Sequence, residues 1–487
     1  MRDIDEQIHY PGSQIIYCDA GVTYRVKIMI RKRFVFSVFL CLGVVLIADV
    51  ASAAFNVDYG GTFRLRQEYW EKAVDLETLG KPDRDFFRLR SSLWGKASIG
   101  ENLGAYLKLT NEAKYFLGTY KPLETADSTS DSNRFDVDEL IVDNLYFDYR
   151  NVSGLPLDLR IGRQDFLGAY GEGFLILDGT PGDGSRTAYF NAAKAVWRLN
   201  AGNSIDLFYL SDPKSDTYLP SLYPARSDSI PTYVSNKRLL NASDEQGVVL
   251  YGKSRINRYL ALEPYYIYKE EDPVGTNTKL KLNTLGGRAV VTVGEWRLRG
   301  EFAHQFGEYG NDRDRKGNGG YLFVGRKHEA APLKPEWDLG YVYLSGDDPA
   351  TPQHEGWDPL FARAPVWNEI YIYPLVYETA NDSGPIPAYW TNLHIYMANV
   401  RLALTAATNL ALSYQYLRSD QTTSGLNPAM FSNNSKERGQ VATLIVNHNF
   451  TKRLSGFLQV EYFIPGKFYT DKAENAALLR WQMQYRF

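Results

Sequence analysis

An antiparallel transmembrane β-barrel of about eighteen strands is the fold class this sequence predicts. Three observations carry it. Apolar and polar residues alternate with period 2 in run after run, as in FRLR at 63–66, FRLR at 87–90 and LDLRI at 157–161. Short and long connections between those runs interleave along nearly the whole chain. The last ten residues, LLRWQMQYRF, place Leu479, Trp481, Met483, Tyr485 and Phe487 on one face and Arg480, Gln482, Gln484 and Arg486 on the other. The 487-residue chain has 35 Tyr and 40 Gly but only 5 Met, which suits an all-β protein with many turns.

The chain opens with a processing segment. Residues 1–28 read as an over-extended start, and 29–53 as a signal peptide. MIRKR supplies the basic flank, FVFSVFLCLGVVLIA an apolar stretch too short to span a bilayer, and ASA a small-residue cleavage site after Ala53. Both cysteines, Cys18 and Cys41, precede that site, so the exported chain has no disulfide or thiol chemistry. The expected barrel is one domain, 54–487. A net charge of −3 gives no reason to expect a nucleic-acid partner.

The expected strands follow in order: 57–70, 85–99, 103–117, 138–150, 156–166, 188–199, 203–211, 245–255, 258–269, 280–292, 295–307, 317–327, 336–346, 392–402, 408–419, 437–450, 454–464 and 475–487. No helical segment is expected. Tight links such as GEN, AGN and VGE alternate with long ones, the longest being 347–391. Long loops at one end and short turns at the other are what strands need when one end faces a periplasm and the other the exterior. The longest loop either enters the lumen as a gate or lies over the mouth. DGTPGDG at 178–184 lacks the spacing of a calcium loop and reads as a flexible external loop.

Arginine on a lipid-facing position costs about 2–4 kcal/mol at mid-bilayer, so the alternating basic residues should face the lumen. The lumen candidates are Arg64, Arg66, Arg88, Arg90, Lys96, Glu112, Arg160, Arg163, Arg198, Arg288, Arg297, Arg299, Glu301 and Arg401. A basic lumen concentrates anions, and a guanidinium pairs a carboxylate bidentately. Interspersed acids keep the sites weak enough for conduction. Trp94, Tyr106 and Tyr146 are candidates for stacking on sugar rings. The bland alternative is that these charges pair with one another and fill the lumen. No metal cluster, cofactor motif or catalytic triad stands out, so an enzyme is not expected.

Several motifs resemble the alginate export porins of the bacterial outer membrane. These are Gly162-Arg163-Gln164 at a strand end, the Glu301, Gln305, Gly307 spacing, GYVYLSGDDP at 340–349, and WDPLF at 357–361. Where that family commonly has Asp-Gly after Arg186-Thr187, Asn191-Ala192 stands here. The resemblance implies a monomeric eighteen-stranded barrel in outer-membrane lipid. It would have an arginine-rich constriction passing an alginate-like anionic polysaccharide or oligosaccharide. Periplasmic export partners are a further candidate, and the sequence does not say whether they dock on the short turns. A general or small-solute porin and a non-transport barrel are the alternatives.

Overall fold

In the computed structural model, the described residues are 55–117, 135–179, 184–222, 240–274, 277–363, 367–383 and 390–487. The expected leader and signal segment, 1–53, lie outside them.

Eighteen wall strands form one closed antiparallel sheet. They are β1 (Phe55–Glu71), β2 (Arg84–Ile99), β3 (Leu103–Phe116), β4 (Phe135–Tyr149), β5 (Leu157–Asp165), β6 (Tyr189–Asn200) and β7 (Asn203–Asp212). After a two-residue strand, β8 (Ser221–Leu222), come β9 (Glu245–Arg255), β10 (Leu260–Glu271), β11 (Leu280–Val293), β12 (Trp296–Tyr309), β13 (Asp314–Lys327) and β14 (Glu336–Leu344). The wall ends with β15 (Leu393–Ala403), β16 (Thr408–Arg418), β17 (Glu437–Asn449), β18 (Leu454–Pro465) and β19 (Ala476–Arg486). Each pairs with its neighbour, β7 pairs with β9, and β1 with β19 closes the ring, so the wall strands leave no free sheet edge. β8 pairs with β4 at Leu140 and Ile141, above the point where the nine-residue β5 ends.

Period 2 sets the two faces. Phe63, Leu89, Leu93, Leu207, Leu285, Phe302, Leu339 and Leu458 stand on an exposed apolar face. Trp197, Trp296, Tyr259 and Tyr485 end that band near the short turns, and Tyr115, Tyr209, Tyr396 and Tyr462 near the long loops. An apolar band between two aromatic girdles is the surface a bilayer requires. The opposite face carries buried polar residues, among them Glu68, Arg88, Thr110, Glu112, Gln305 and Glu461.

Two departures from the sequence reading stand out. The connection expected at 308–316 is only four residues, 310–313, because Glu308↔Asp314 and Gly307↔Arg315 continue the ladder. The loop after β14 contains a helix, α1 (Ile372–Ser383), where none was expected. Ile372, Leu375, Val376 and Thr379 recur at helical spacing, and Pro374 sits in the first turn, where its missing N–H costs nothing. The Asn368 side chain accepts from the Tyr371 N–H at 2.9 Å just ahead of it.

Candidate functional site: the infolded loops and the polar face

Two connections, 166–188 and 345–392, meet each other and the polar face of the wall. Ile176 and Phe361 form a parallel bridge, and the Phe361 N–H donates to the Leu175 carbonyl at 3.0 Å. The ring of Phe174 stacks on Trp357 at 5.2 Å. Trp357 lies flat against β13 at Gly319, where an added Cβ would sit 2.6 Å from the indole. Gln305 clamps the same loop from both sides: its Nε2 donates to the Asp358 carbonyl at 2.6 Å, and its Oε1 accepts from the Asp358 N–H at 2.9 Å. Further on, Glu461 accepts from the N–H groups of Glu369 and Ile370. Arg438 donates to Glu378 on α1 and to Tyr371.

These contacts settle which of two places the long loop takes: its described residues pack against the inner wall. Of the segment 178–184, expected as a flexible external loop, only the two ends are described, and both are tied down. Asp178 is buried and accepts from the Arg363 N–H at 2.8 Å, and the Gly184 carbonyl accepts from Arg90; residues 180–183 lie outside the described residues. The sequence motifs gain a physical reason. Gln305 and the WDPLF segment are the two halves of a loop clamp. Gly307 is glycine because a Cβ there would meet the Lys281 carbonyl at 2.0 Å.

The expected lumen residues fall into three groups. Arg64, Arg66, Arg88, Arg90 and Arg480 form one network on β1, β2 and β19 with Glu112 and Glu68. Glu112 alone accepts from Arg64 at 2.6 Å and from Arg88 at 2.7 Å, and it lies 3.3 Å from Arg90. Arg90 also donates to the carbonyls of Gly184 and Arg186, tying this network to the first infolded loop.

A second group lies on β10 to β14. Arg288 pairs with Glu263 at 2.9 Å and with Glu172 at 3.1 Å. Arg299 pairs with Glu172 and lies 3.7 Å from Asp338, its guanidinium 4.1 Å from the Phe323 ring centroid. Glu301 accepts from Tyr265 and Tyr321, each at 2.9 Å.

A third group, Lys96, Arg160, Arg198, Arg297 and Arg401, lies toward the short turns. Arg160 pairs with Asp148 at 2.6 Å, Arg198 with Asp158 at 3.2 Å, and Arg401, 59% exposed, with Glu336 at 3.5 Å.

Arg163 stands apart from all three. It is of opposite parity to Arg160 and opposes Leu145. Its guanidinium donates to the Val142 carbonyl at 2.9 Å, just where β5 stops pairing with β4, and pairs with Asp216. Arg186 joins Asp216 at 2.7 Å and Glu139 at 2.7 Å.

The three aromatic candidates stack on one another. Trp94 and Tyr106 are 6.0 Å apart, Tyr106 and Tyr146 5.0 Å, and Arg160 caps Tyr146 at 4.0 Å. Gly60 closes the far side, since its Cβ would lie 2.7 Å from the Trp94 ring. With both ends covered, the stack offers ring edges rather than faces.

A cavity of about 500 Å³ lies between the infolded loops and β12 to β18. Arg299, Arg401, Glu172, Phe174, Trp367 and Glu461 are among its lining residues. Sequence reasoning missed Glu172 and Glu369, the loop carboxylates that reach Arg288, Arg299 and Arg480. The available signal was Gly171-Glu172-Gly173, a single charge between two glycines.

A closed barrel with an apolar belt, a polar inner face and two infolded loops defines an outer-membrane β-barrel channel. Residues 55–210 and 230–482 match the family model described as alginate export, and the chain belongs to that family. Among solved structures it is similar to the outer membrane protein OpdK of Pseudomonas aeruginosa, with a TM-score of 0.52 and 11% identity, covering 88% of this chain and 99% of that one. OccK2 (OpdF) of the same organism, solved with glucuronate, gives 0.52 and 11%, covering 89% and 98%. OccAB4 of Acinetobacter baumannii gives 0.51 and 12%, covering 88% and 98%. These likenesses are of fold. No curated protein sequence matches the chain.

Proposed function

We propose that the barrel passes anionic saccharides, alginate-like uronates in oligomeric or polymeric form, by diffusion along its basic inner face. The observation that carries this reading is the cavity in which Arg299 and Arg401 stand beside Phe174 and Trp367. A guanidinium grips a carboxylate through paired N–H donors, and an aromatic face accepts the C–H side of a sugar ring. Its volume lies within the range of about 300–1,000 Å³ usual for small-molecule sites, which suits a chain threaded one or two residues at a time.

The basic residues toward the short turns, Lys96, Arg160, Arg198, Arg297 and Arg401, would serve as successive weak stations. The deeper pairs, Arg64, Arg66, Arg88 and Arg90 with Glu112, would set the field, while Arg288 and Arg299, with Glu301 nearby, would hold the carboxylate at the cavity. Arg163, closed off by Asp216, would hold the wall. Two of the similar folds were solved with carboxylates, OpdK with vanillate and OccK2 with glucuronate, which accords with a carboxylate-handling channel. Export would use 29–53 as a cleaved signal, and the barrel would act as a monomer in outer-membrane lipid.

The test is the reversal potential of purified protein in a planar bilayer under a KCl gradient, repeated with oligouronate. Anion selectivity and block by oligouronate are expected. Open conductance without block would overturn the uronate reading in favour of a general porin.

A further inference from the structure

Arg288 and Arg299 lie on adjacent strands and share one carboxylate, and that carboxylate comes from a loop. Glu172 Oε1 lies 3.1 Å from Arg288 Nη2, and Glu172 Oε2 accepts from Arg299 Nη1. One oxygen to each guanidinium is the arrangement in which two arginines hold a bound carboxylate ligand. Wall acids complete the rest of each arginine's shell, Glu263 for Arg288 and Asp338 for Arg299.

The chain delivers this carboxylate on a narrow stalk. Gly171 and Gly173 flank it at φ +53° and +78°, a region where a side chain would be strained. An added Cβ at Gly171 would lie 3.2 Å from both Arg288 Cδ and Glu301 Oε2, so the backbone is let in close by having none. Glu172 itself remains 30% exposed and lines the cavity together with Arg299, Phe174 and Phe323.

Resting on the uronate reading above, we propose that Glu172 is a built-in occupant of a carboxylate subsite formed by Arg288 and Arg299. A carboxylated sugar entering the cavity takes its place, its ring in the cavity alongside Trp367. The exchange replaces one carboxylate by another between the two guanidinium groups, so it leaves the charge held there unchanged. Each guanidinium keeps its wall acid, Glu263 or Asp338, throughout the exchange, which avoids the large cost of stranding a buried charge. Glu172 thereby weakens binding in inverse proportion to the fraction of time the subsite is free, which keeps the station shallow enough for passage.

The experiment is block of single-channel KCl current by glucuronate, titrated on the full barrel. Wild type is compared with Glu172→Gln, Glu172→Asp and Glu369→Gln. Glu369 also lines the cavity but pairs with Arg480 at 2.8 Å, so it controls for loss of a negative charge alone. Heat-modifiable gel migration verifies that each barrel is folded. If the subsite is free about a tenth of the time, Glu172→Gln lowers the half-blocking concentration roughly tenfold. Glu172→Asp should restore most of the wild-type value, and Glu369→Gln should shift it by less than about threefold.

Equal shifts in Glu172→Gln and Glu369→Gln would overturn the proposal, because only local charge would then matter. Wild-type block unchanged by Glu172→Gln would overturn it too, while leaving the uronate channel standing. Absence of glucuronate and oligouronate block in every form, wild type included, would remove the uronate reading and this subsite with it.

Discussion

Glu112 gathers three arginines, and replacing it tests whether the arginine network holds β1, β2 and β3 together. Its side chain is fully buried between Arg64, Arg88 and Arg90. Five arginines, counting Arg66 and Arg480, share Glu112 and Glu68 within the wall, with Glu369 reaching Arg480 from the long loop. Glu112→Gln keeps the shape but leaves three guanidinium groups facing an uncharged amide. Removing one partner of a buried pair costs about 3–5 kcal/mol. At about 2 °C per kcal/mol for a large domain, the unfolding midpoint should fall by about 6–10 °C. The assay is thermal loss of the compact gel form in mild detergent, followed in parallel by tryptophan fluorescence. Adding Arg64→Gln to the variant should recover part of the loss, because one of the stranded charges goes with it. A midpoint within about 2 °C of wild type would refute the reasoning, since a buried carboxylate gripping three arginines would then hold nothing.

Three further outcomes are expected. Gly319→Ala places a methyl where the Trp357 indole lies, 2.6 Å away, so the long loop lifts from the wall and unit conductance rises, read in a planar bilayer. Burial alone would raise the Asp216 carboxyl, but Arg163 and Arg186 outweigh it and hold it down at about 2, from an ordinary 3.8. A folded value below the unfolded one stabilises above about pH 4 and is lost as pH falls toward 2. Asp216→Asn should therefore cost about 2 kcal/mol in urea unfolding at pH 7, with the difference from wild type shrinking toward pH 2. Intact-mass measurement of the barrel purified from outer membranes should give a chain beginning at Ala54; a mass that includes 29–53 would refute cleavage there.

The wall was legible because period 2 is a local signal and a bilayer enforces it on the outer face. The run 245–255 matches its strand end for end, and most others lie within two or three residues of theirs. Parity also placed Arg64, Arg88 and Glu112 on one face, where they meet. What parity could not supply is what each arginine meets across the interior. Glu172, Glu369 and Asp358 reach the wall from connections, whose positions depend on where a long segment folds rather than on any repeat. The helix Ile372–Ser383 escaped notice for a related reason: its apolar spacing is short and lies among tyrosines and tryptophans that read equally well as a lid. Arg163 shows the limit of parity itself. Gly162, at φ +129°, and the early end of β5 re-aim the residue that follows, so its alternation no longer reports the face it serves.

That early end has a mechanical meaning. Below Leu145 the wall between β4 and β5 is stitched by backbone, bond after bond. Above it β8 takes up the β4 edge for only two residues, Leu140 and Ile141, and the gap is otherwise closed by a suture of side chains: Arg163 to Asp216, Asp216 to Arg186, and Arg186 back to Glu139 on β4. Backbone stitches share a load along the seam, whereas a suture carries it through single knots. Under lateral stretch, from a crowded bilayer or from a bulky chain forcing its way through, the seam beside β5, whose backbone ladder is the shortest in the ring, is where this hoop is expected to give first.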